Sequence, residues 1–200
     1  METIPAIDEG LAGTDFWALV LAAGAGSRFG GDKLSAPWGD GTLVQATVAM
    51  AKSAPVAGVI LLGKPGERLI EDPGVRVVEV ANWAKGMAAT LRTGIGSLPA
   101  DAAGAFVFLG DMPRIPRAVL APLAEAVRAG APAAAPVWKE KLGHPVLFSA
   151  ALFPDLIALT GDRGARAVLE RLGDALIRIP APDDGVLFDV DRPQDLIGRP

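Results

Sequence analysis

The chain has 200 residues, 50% of them hydrophobic, with a formal net charge of -4 and a pI near 5.0. That length and composition can bury one sizeable core, and the acidic balance excludes the broad basic field by which proteins hold nucleic acid or anionic membranes. The absence of cysteine excludes disulfides, thiolate metal sites and thiol nucleophiles, so a metal would need oxygen ligands.

Residues 1–15, METIPAIDEGLAGTD, carry neither the basic n-region nor the apolar h-region of a signal peptide, and no stretch reaches the roughly 18 apolar residues of a membrane span. The expectation is a mobile acidic leader at 1–15, then a single domain over 16–200 in a cytoplasmic protein. Phe16 to Ala22 is a continuous apolar run ending in glycines, the pattern of a strand buried on both faces of a parallel sheet. Thr42 to Ser53 has helical apolar spacing behind a threonine start, and Val56 to Leu62 is a short apolar strand. The alternation predicts a strand at Val75–Val80, a helix at Gly86–Ser97, a strand at Ala105–Leu109 and a helix at Pro116–Ala129. Short strands at Ala133–Val137 and Pro145–Phe148, helices at Leu152–Leu159 and Arg163–Leu172, and strands at Ala175–Ile179 and Val186–Val190 complete it. Strands alternating with helices imply a layered α/β fold with a mostly parallel, Rossmann-like sheet, whose ligands sit at the carboxyl ends of the strands.

The loop after the first strand reads Ala22-Ala23-Gly24-Ala25-Gly26-Ser27-Arg28-Phe29-Gly30-Gly31-Asp32-Lys33. Glycines let backbone amides approach an anion closely, which suits a polyphosphate. A dinucleotide fingerprint fails here, because Phe29 stands where a third small residue is needed and no acidic residue follows the second strand near Leu62 and Gly63. A P-loop fails too, since Asp32 precedes Lys33 and Leu34 follows it. What remains is a glycine loop with two cations, Arg28 and Lys33; a tight strand-to-helix turn with incidental charges is the alternative. Further on, Ala105–Leu109 runs through Gly110 into Asp111. A carboxylate at a strand end beside a phosphate loop suits Mg²⁺, which takes one or two carboxylates plus substrate phosphates; standing alone, it would be a turn or helix-capping aspartate.

Leu21-Ala22-Ala23-Gly24-x-Gly26-Ser27-Arg28-Phe29-Gly30-x-x-Lys33-Leu34 is similar to the signature of the MobA-like nucleotidyltransferases, with phenylalanine where methionine is usual. Gly110-Asp111-Met112-Pro113 resembles the metal-binding segment of their molybdenum cofactor cytidylyltransferase branch, and Asp189-Val190-Asp191-Arg192-Pro193-Gln194-Asp195-Leu196 resembles the family's closing carboxylate motif. The resemblance implies a sheet of the nucleotide-diphospho-sugar transferase type and a Mg²⁺-dependent transfer of CMP from CTP to the phosphate of molybdopterin, with release of pyrophosphate. It assigns Leu21, Ala22, Ala23, Gly24, Gly26, Ser27, Arg28, Lys33, Asn82 and Gly86 to the nucleotide. It gives Arg28, Lys33 and Asp111 to catalysis, and Asp111 with Asp191, or with Asp189 instead, to the metal; Asp195 is read as a cap. Gly143-His144-Pro145 and Thr160-Gly161-Asp162-Arg163-Gly164-Ala165-Arg166 look like acceptor-side motifs of that branch, which would bring His144, Arg163 and Arg166 to the acceptor. His144 is the single histidine, so a structural role or acid-base catalysis stands beside acceptor contact, and the arginines have solvated ion pairs as their alternative. Asn82 falls closer to Gly86-Met87 than in the family pattern, and Ala88-Ala89 replaces two usual serines.

Expected partners are CTP or another nucleoside triphosphate, molybdopterin or another phosphorylated acceptor, and a molybdoenzyme or its chaperone, with neither nucleic acid nor membrane. Two other readings compete. One is an NAD(P)H-dependent oxidoreductase, since nicotine blue reductase resembles the same branch; the other is a nucleotide-binding protein that delivers molybdenum cofactor without turnover.

Overall fold

The computed structural model describes residues 16–24, 29–161 and 164–196; the proposed leader, Gly26, Ser27, Arg28 and Arg163 lie outside them. The first strand, β1 (Phe16–Leu21), is followed by a two-strand ribbon of β2 (Pro37–Trp38) and β3 (Gly41–Thr42), then α1 (Leu43–Lys52). Thr42 and Gln45 close a reciprocal capping box at the start of α1, so the threonine start is real. Next come β4 (Gly58–Gly63), β5 (Val75–Glu79), α2 (Met87–Gly96), β6 (Gly104–Leu109), α3 (Leu120–Arg128), β7 (Ala133–Trp138) and β8 (Lys141–Leu142). The remaining elements are β9 (Val146–Ser149), α4 (Phe153–Ile157), α5 (Arg166–Leu172) and β10 (Leu176–Pro180).

The main sheet runs β10-β7-β9-β6-β1-β4-β5, with β8 paired to β7. Its pairs are parallel except those made by β8 and β9, which run against their neighbours. The apolar run of β1 divides by its period of two. Ala18 and Val20 join one buried cluster with Val44 and Val48 of α1 and Leu123 of α3, while Leu19 and Leu21 join another with Leu91 of α2 and Val168 of α5. Helices therefore cover both faces, which is why β1 reads as continuous hydrophobicity and not as alternation. No helix among the described residues is long and apolar enough to cross a membrane.

The chain passes from β1 to β4 and β5 on one side, then returns to β6 on the other, so the strand order reverses beside β1. In open α/β sheets that reversal opens a crevice at the carboxyl ends of the strands.

One predicted element is corrected. Val186–Val190 is not a strand: residues Asp184–Leu187 form a 3-10 turn, and the chain then crosses the ends of the sheet. Val186 and Val190 are fully buried, which produced the apolar signal, but they belong to the crossing segment itself, tied to His144 and Asp111 by backbone hydrogen bonds, and not to a strand. The crossing depends on close backbone approach. A Cβ on Gly143 would lie 2.3 Å from the Val186 carbonyl oxygen, and one on Gly185 would lie 2.1 Å from that of Arg114. A hairpin at Trp138–Lys141 was also not anticipated, because its turn residues Lys139 and Glu140 have positive φ without being glycine or asparagine.

Candidate active site

Backbone hydrogen bonds tie these strand ends together: Gly110 N–H, just past β6, donates to the Leu21 carbonyl of β1 at 2.9 Å, and Ala22 N–H, just past β1, donates to that of Leu62 of β4 at 2.8 Å. Thr47 of α1 is buried and donates its hydroxyl to the Gly110 carbonyl at 3.2 Å, tying the base of the Asp111 turn to the helix beneath it. Asp111 emerges at the crevice, where Lys33 Nζ donates to its Oδ2 at 2.6 Å and lies 3.7 Å from Asp191 Oδ1.

The crossing segment brings two more carboxylates to this point. Val190 N–H donates to the Asp111 carbonyl at 3.0 Å, and Asp111, Asp189 and Asp191 each offer an oxygen within 4.8 Å of the others. Desolvation, and then the charges of Asp191 and Asp111, push the Asp189 carboxyl above its ordinary value. Asp195 Oδ2 accepts from the backbone N–H groups of Asp191 and Arg192 at 3.0 and 2.8 Å, so it is a capping residue that holds the Asp191 loop in place. Three carboxylates crowded around one ammonium, with oxygen donors only, suit a hard divalent cation such as Mg²⁺ or Mn²⁺.

A cavity of about 620 Å³ opens beside the carboxylates. Of the residues expected at the nucleotide, Leu21, Ala22, Ala23, Gly24, Lys33 and Gly86 line it, together with Asp111. Asn82 does not; it is exposed, and its neighbours Trp83 and Ala84 form that wall. Sequence reasoning missed Lys64, Glu67 and Trp83 in this cavity. Lys64 pairs with Glu67 at 3.1 Å and stands 5.1 Å from the Trp83 ring centre. Lys64 directly follows a strand in an α/β pattern, which was the available signal.

A second cavity, of about 670 Å³, lies between the sheet and the helices α2 and α5. The two cavities share Leu21, Met87 and Leu109 at their junction. His144 and Arg166 line the second one, with Leu91, Val107 and Phe148 among its apolar walls. Burial holds the His144 imidazole below its ordinary pKa, and its Nδ1 lies 3.4 Å from the Val107 carbonyl. The ring is therefore neutral near pH 7. Arg166 pairs with Glu170 at 2.9 Å on the exposed face of α5.

A mostly parallel sheet that reverses its order beside a glycine-rich turn, with a lysine and three carboxylates at that point, defines an α/β protein built to handle phosphorylated nucleotides. The chain belongs to the MobA-like NTP transferase domain family, whose model matches residues 18–176, and is accordingly a nucleotidyltransferase. Asp189 and Asp191 lie beyond the matched span, so their place beside Asp111 comes from the tertiary structure. The molybdenum cofactor cytidylyltransferase of Escherichia coli K12 is 22% identical over 183 residues, covering 90% of this chain and 92% of that protein. A solved structure from Mycobacterium sp. strain JC1, a homologue of Mycobacterium tuberculosis Rv0371c, is 31% identical with a TM-score of 0.80, covering 91% of this chain and 93% of the other. The Rv0371c complex with manganese from M. tuberculosis H37Rv shares the fold at 23% identity and a TM-score of 0.68, covering 90% and 92% of the two chains.

Proposed function

We propose that the chain transfers CMP from CTP to the phosphate of molybdopterin and releases pyrophosphate, in the presence of Mg²⁺. The observation that carries this reading is the meeting of two cavities beside the Lys33–Asp111–Asp191 cluster, one behind the glycine turn and one behind His144. The likeness to the E. coli cytidylyltransferase supports the choice of nucleotide and acceptor.

In this reading the triphosphate lies along the Ala22–Gly24 turn, with Gly26, Ser27 and Arg28 contributing by their place in the sequence. An oxygen of the acceptor phosphate attacks the α-phosphorus. The bond from that phosphorus to the bridging oxygen of the β-phosphate breaks in line, and pyrophosphate departs with the electron pair. Lys33 and Arg28 balance the charge of the triphosphate and of the leaving pyrophosphate. Asp111 would hold the metal with Asp191 or Asp189, and the ion would supply charge to neutralise the reacting phosphates. His144 and Arg166 face the acceptor, with Arg163 contributing by its place in the sequence, and the neutral His144 accepts or donates a hydrogen bond without adding charge. Catalysis of this kind is positioning and charge stabilisation, so no nucleophilic side chain is required.

The test is pyrophosphate release from CTP, GTP, ATP and UTP with purified molybdopterin, with and without Mg²⁺. Release confined to CTP with metal, and lost in Asp111→Asn, is the expected result. Release with GTP alone would move the enzyme to guanylyl transfer. Metal-independent consumption of NADH without pyrophosphate would replace the reading with an oxidoreductase, and nucleotide binding without turnover would replace it with a delivery protein.

A further inference from the structure

The first cavity contains a polar group that the fold does not use. Thr90 of α2 is 4% exposed and lines that cavity, yet its hydroxyl has no hydrogen-bond partner among the described residues. Its neighbours behave otherwise: Thr93 on the same helix donates to the Ala89 carbonyl at 3.0 Å, and Ser97 at the C-cap donates to that of Thr93 at 2.8 Å, each one turn back. No fully buried side-chain oxygen among the described residues lacks a partner, so the Thr90 hydroxyl reaches into the cavity space itself.

The packing of α2 fixes where in the cavity this hydroxyl lies. A Cβ on Gly94 would stand 2.7 Å from Leu62 and 3.0 Å from Leu19, so this face of α2 looks onto β1 and β4. Because α2 joins strands that run parallel, it runs back against them, and Thr90, one turn before Gly94, lies about 6 Å nearer the carboxyl ends. That is about two strand residues, which puts Thr90 over Leu21 and Lys64. Asp111 follows β6 and Lys64 follows β4, with β1 between them, so Lys64 stands two strand spacings, about 10 Å, from the reacting end. There Lys64 holds Glu67 from two sides, its Nζ 3.1 Å from one carboxylate oxygen and its backbone N–H donating to the other at 3.4 Å. Glu67 lines the cavity, and its carboxylate has lone pairs left to accept from a ligand.

We propose that Glu67 and Thr90 read the base of the nucleotide: the Glu67 carboxylate accepts from an exocyclic amino group, that of cytosine in the reading above, and the Thr90 hydroxyl donates to the ring carbonyl. This rests on the reading of the first cavity as the nucleotide site. Uracil has a carbonyl oxygen where cytosine has the amino group, so it would meet the carboxylate lone pair against lone pair and be rejected. Lys64 is a positioning residue, which holds the Glu67 carboxylate in place and balances its charge beside a triphosphate. Glu67 belongs to no motif quoted above, because a glutamate in a turn after a strand carries no local signature.

The experiment uses the full chain and measures binding of CTP, UTP, GTP and tripolyphosphate, each with Mg²⁺, by isothermal titration to the wild type, Glu67→Gln, Thr90→Val and Thr90→Ser. The expected result is that the wild type binds CTP about tenfold more tightly than UTP. Glu67→Gln brings the two to within about twofold, because an amide donates to the uracil carbonyl as readily as it accepts from the cytosine amino group. Thr90→Val weakens CTP and UTP alike by about fivefold, since both carry the ring carbonyl, and Thr90→Ser restores them. Binding of tripolyphosphate, which has no base, stays unchanged in every variant and shows that each is folded. Equal binding of CTP and UTP to the wild type overturns the proposal, as does a CTP preference that survives Glu67→Gln. A Thr90→Val variant that weakens tripolyphosphate as much as CTP, or that weakens neither, overturns it too. A wild type that binds GTP best, with Glu67→Gln and Thr90→Val weakening GTP and sparing tripolyphosphate, would instead remove the CTP reading and leave both residues as readers of an amino-bearing base.

Discussion

The two cavities that meet at Leu21, Met87 and Leu109 are close in size but are built differently. The first is made by chain turns at the ends of β1 and β6, where short segments place Ala22–Gly24 and Asp111 directly, and Lys33 reaches Asp111 from 78 positions away. The second takes its walls from α2, α5, β6, β8, β9 and β10, each contributing one to a few side chains. A polyphosphate is much the same in every nucleotide and can be held by a turn; an acceptor differs from enzyme to enzyme and is read by scattered side chains. Local motifs therefore describe what the family shares, and the assembled walls describe what this chain selects.

That contrast predicts how damage should separate the cavities. Asp111→Asn should reduce turnover about 10²- to 10³-fold by removing a charge that acts on the reacting phosphates, and Lys33→Ala should act on a similar scale. Steady-state pyrophosphate release measures both, and a variant keeping most of its rate would place the chemistry elsewhere. Gly143→Ala should cost about 1–3 kcal/mol in urea denaturation, because the new Cβ meets a backbone oxygen. Displacing Val186 also shifts the segment carrying Asp189 and Asp191, so Mn²⁺ affinity should fall with stability while the glycine turn stays intact. If stability falls and Mn²⁺ affinity does not, the crossing segment is not what places the carboxylates.

Thr47→Val should cost about 1 kcal/mol by removing the hydroxyl bond to the Gly110 carbonyl. It should lower turnover more than acceptor binding, since it loosens the Asp111 turn and leaves the second cavity alone. The smallest effect is expected from His144. Because burial lowers its pKa in the folded protein, the unfolded chain binds more protons as the pH drops through the ordinary value of 6.5. Its contribution to stability is therefore fully present above that value and is lost toward acid until the folded imidazole is protonated. Denaturation midpoints from about pH 7.5 to about pH 5.5 should fall less steeply for His144→Gln than for the wild type. Equal slopes would mean the ring is solvated, and the second cavity more open than its walls suggest.

Much of this was legible before any coordinates. Period and punctuation placed β1, α1, β4, β5, α2 and β6 within a residue or two, because a strand buried on both faces must be continuously apolar and α1 begins at a threonine able to cap it. The same reading failed at Val186–Val190. Burial of Val186 and Val190 at a spacing of four residues identifies apolar positions but not the element that carries them, and here that element is an irregular segment crossing the strand ends. At Asn82 the motif pointed to a loop in which Trp83 and Ala84, and not Asn82, line the cavity.

By itself the sequence determined the alternation of strands and helices, the glycine turn at the end of the first strand and the carboxylate at the end of β6, since backbone geometry and capping act over a few residues. The motifs named Lys33, Asp111, Asp189 and Asp191, but the tertiary structure supplied the contacts: Lys33 Nζ on Asp111, and the segment of Asp189 and Asp191 folded back over them. Those contacts join positions far apart in the chain. Their energies depend on distances that exist only once the sheet is assembled, so a local motif can name the residues without fixing the contacts.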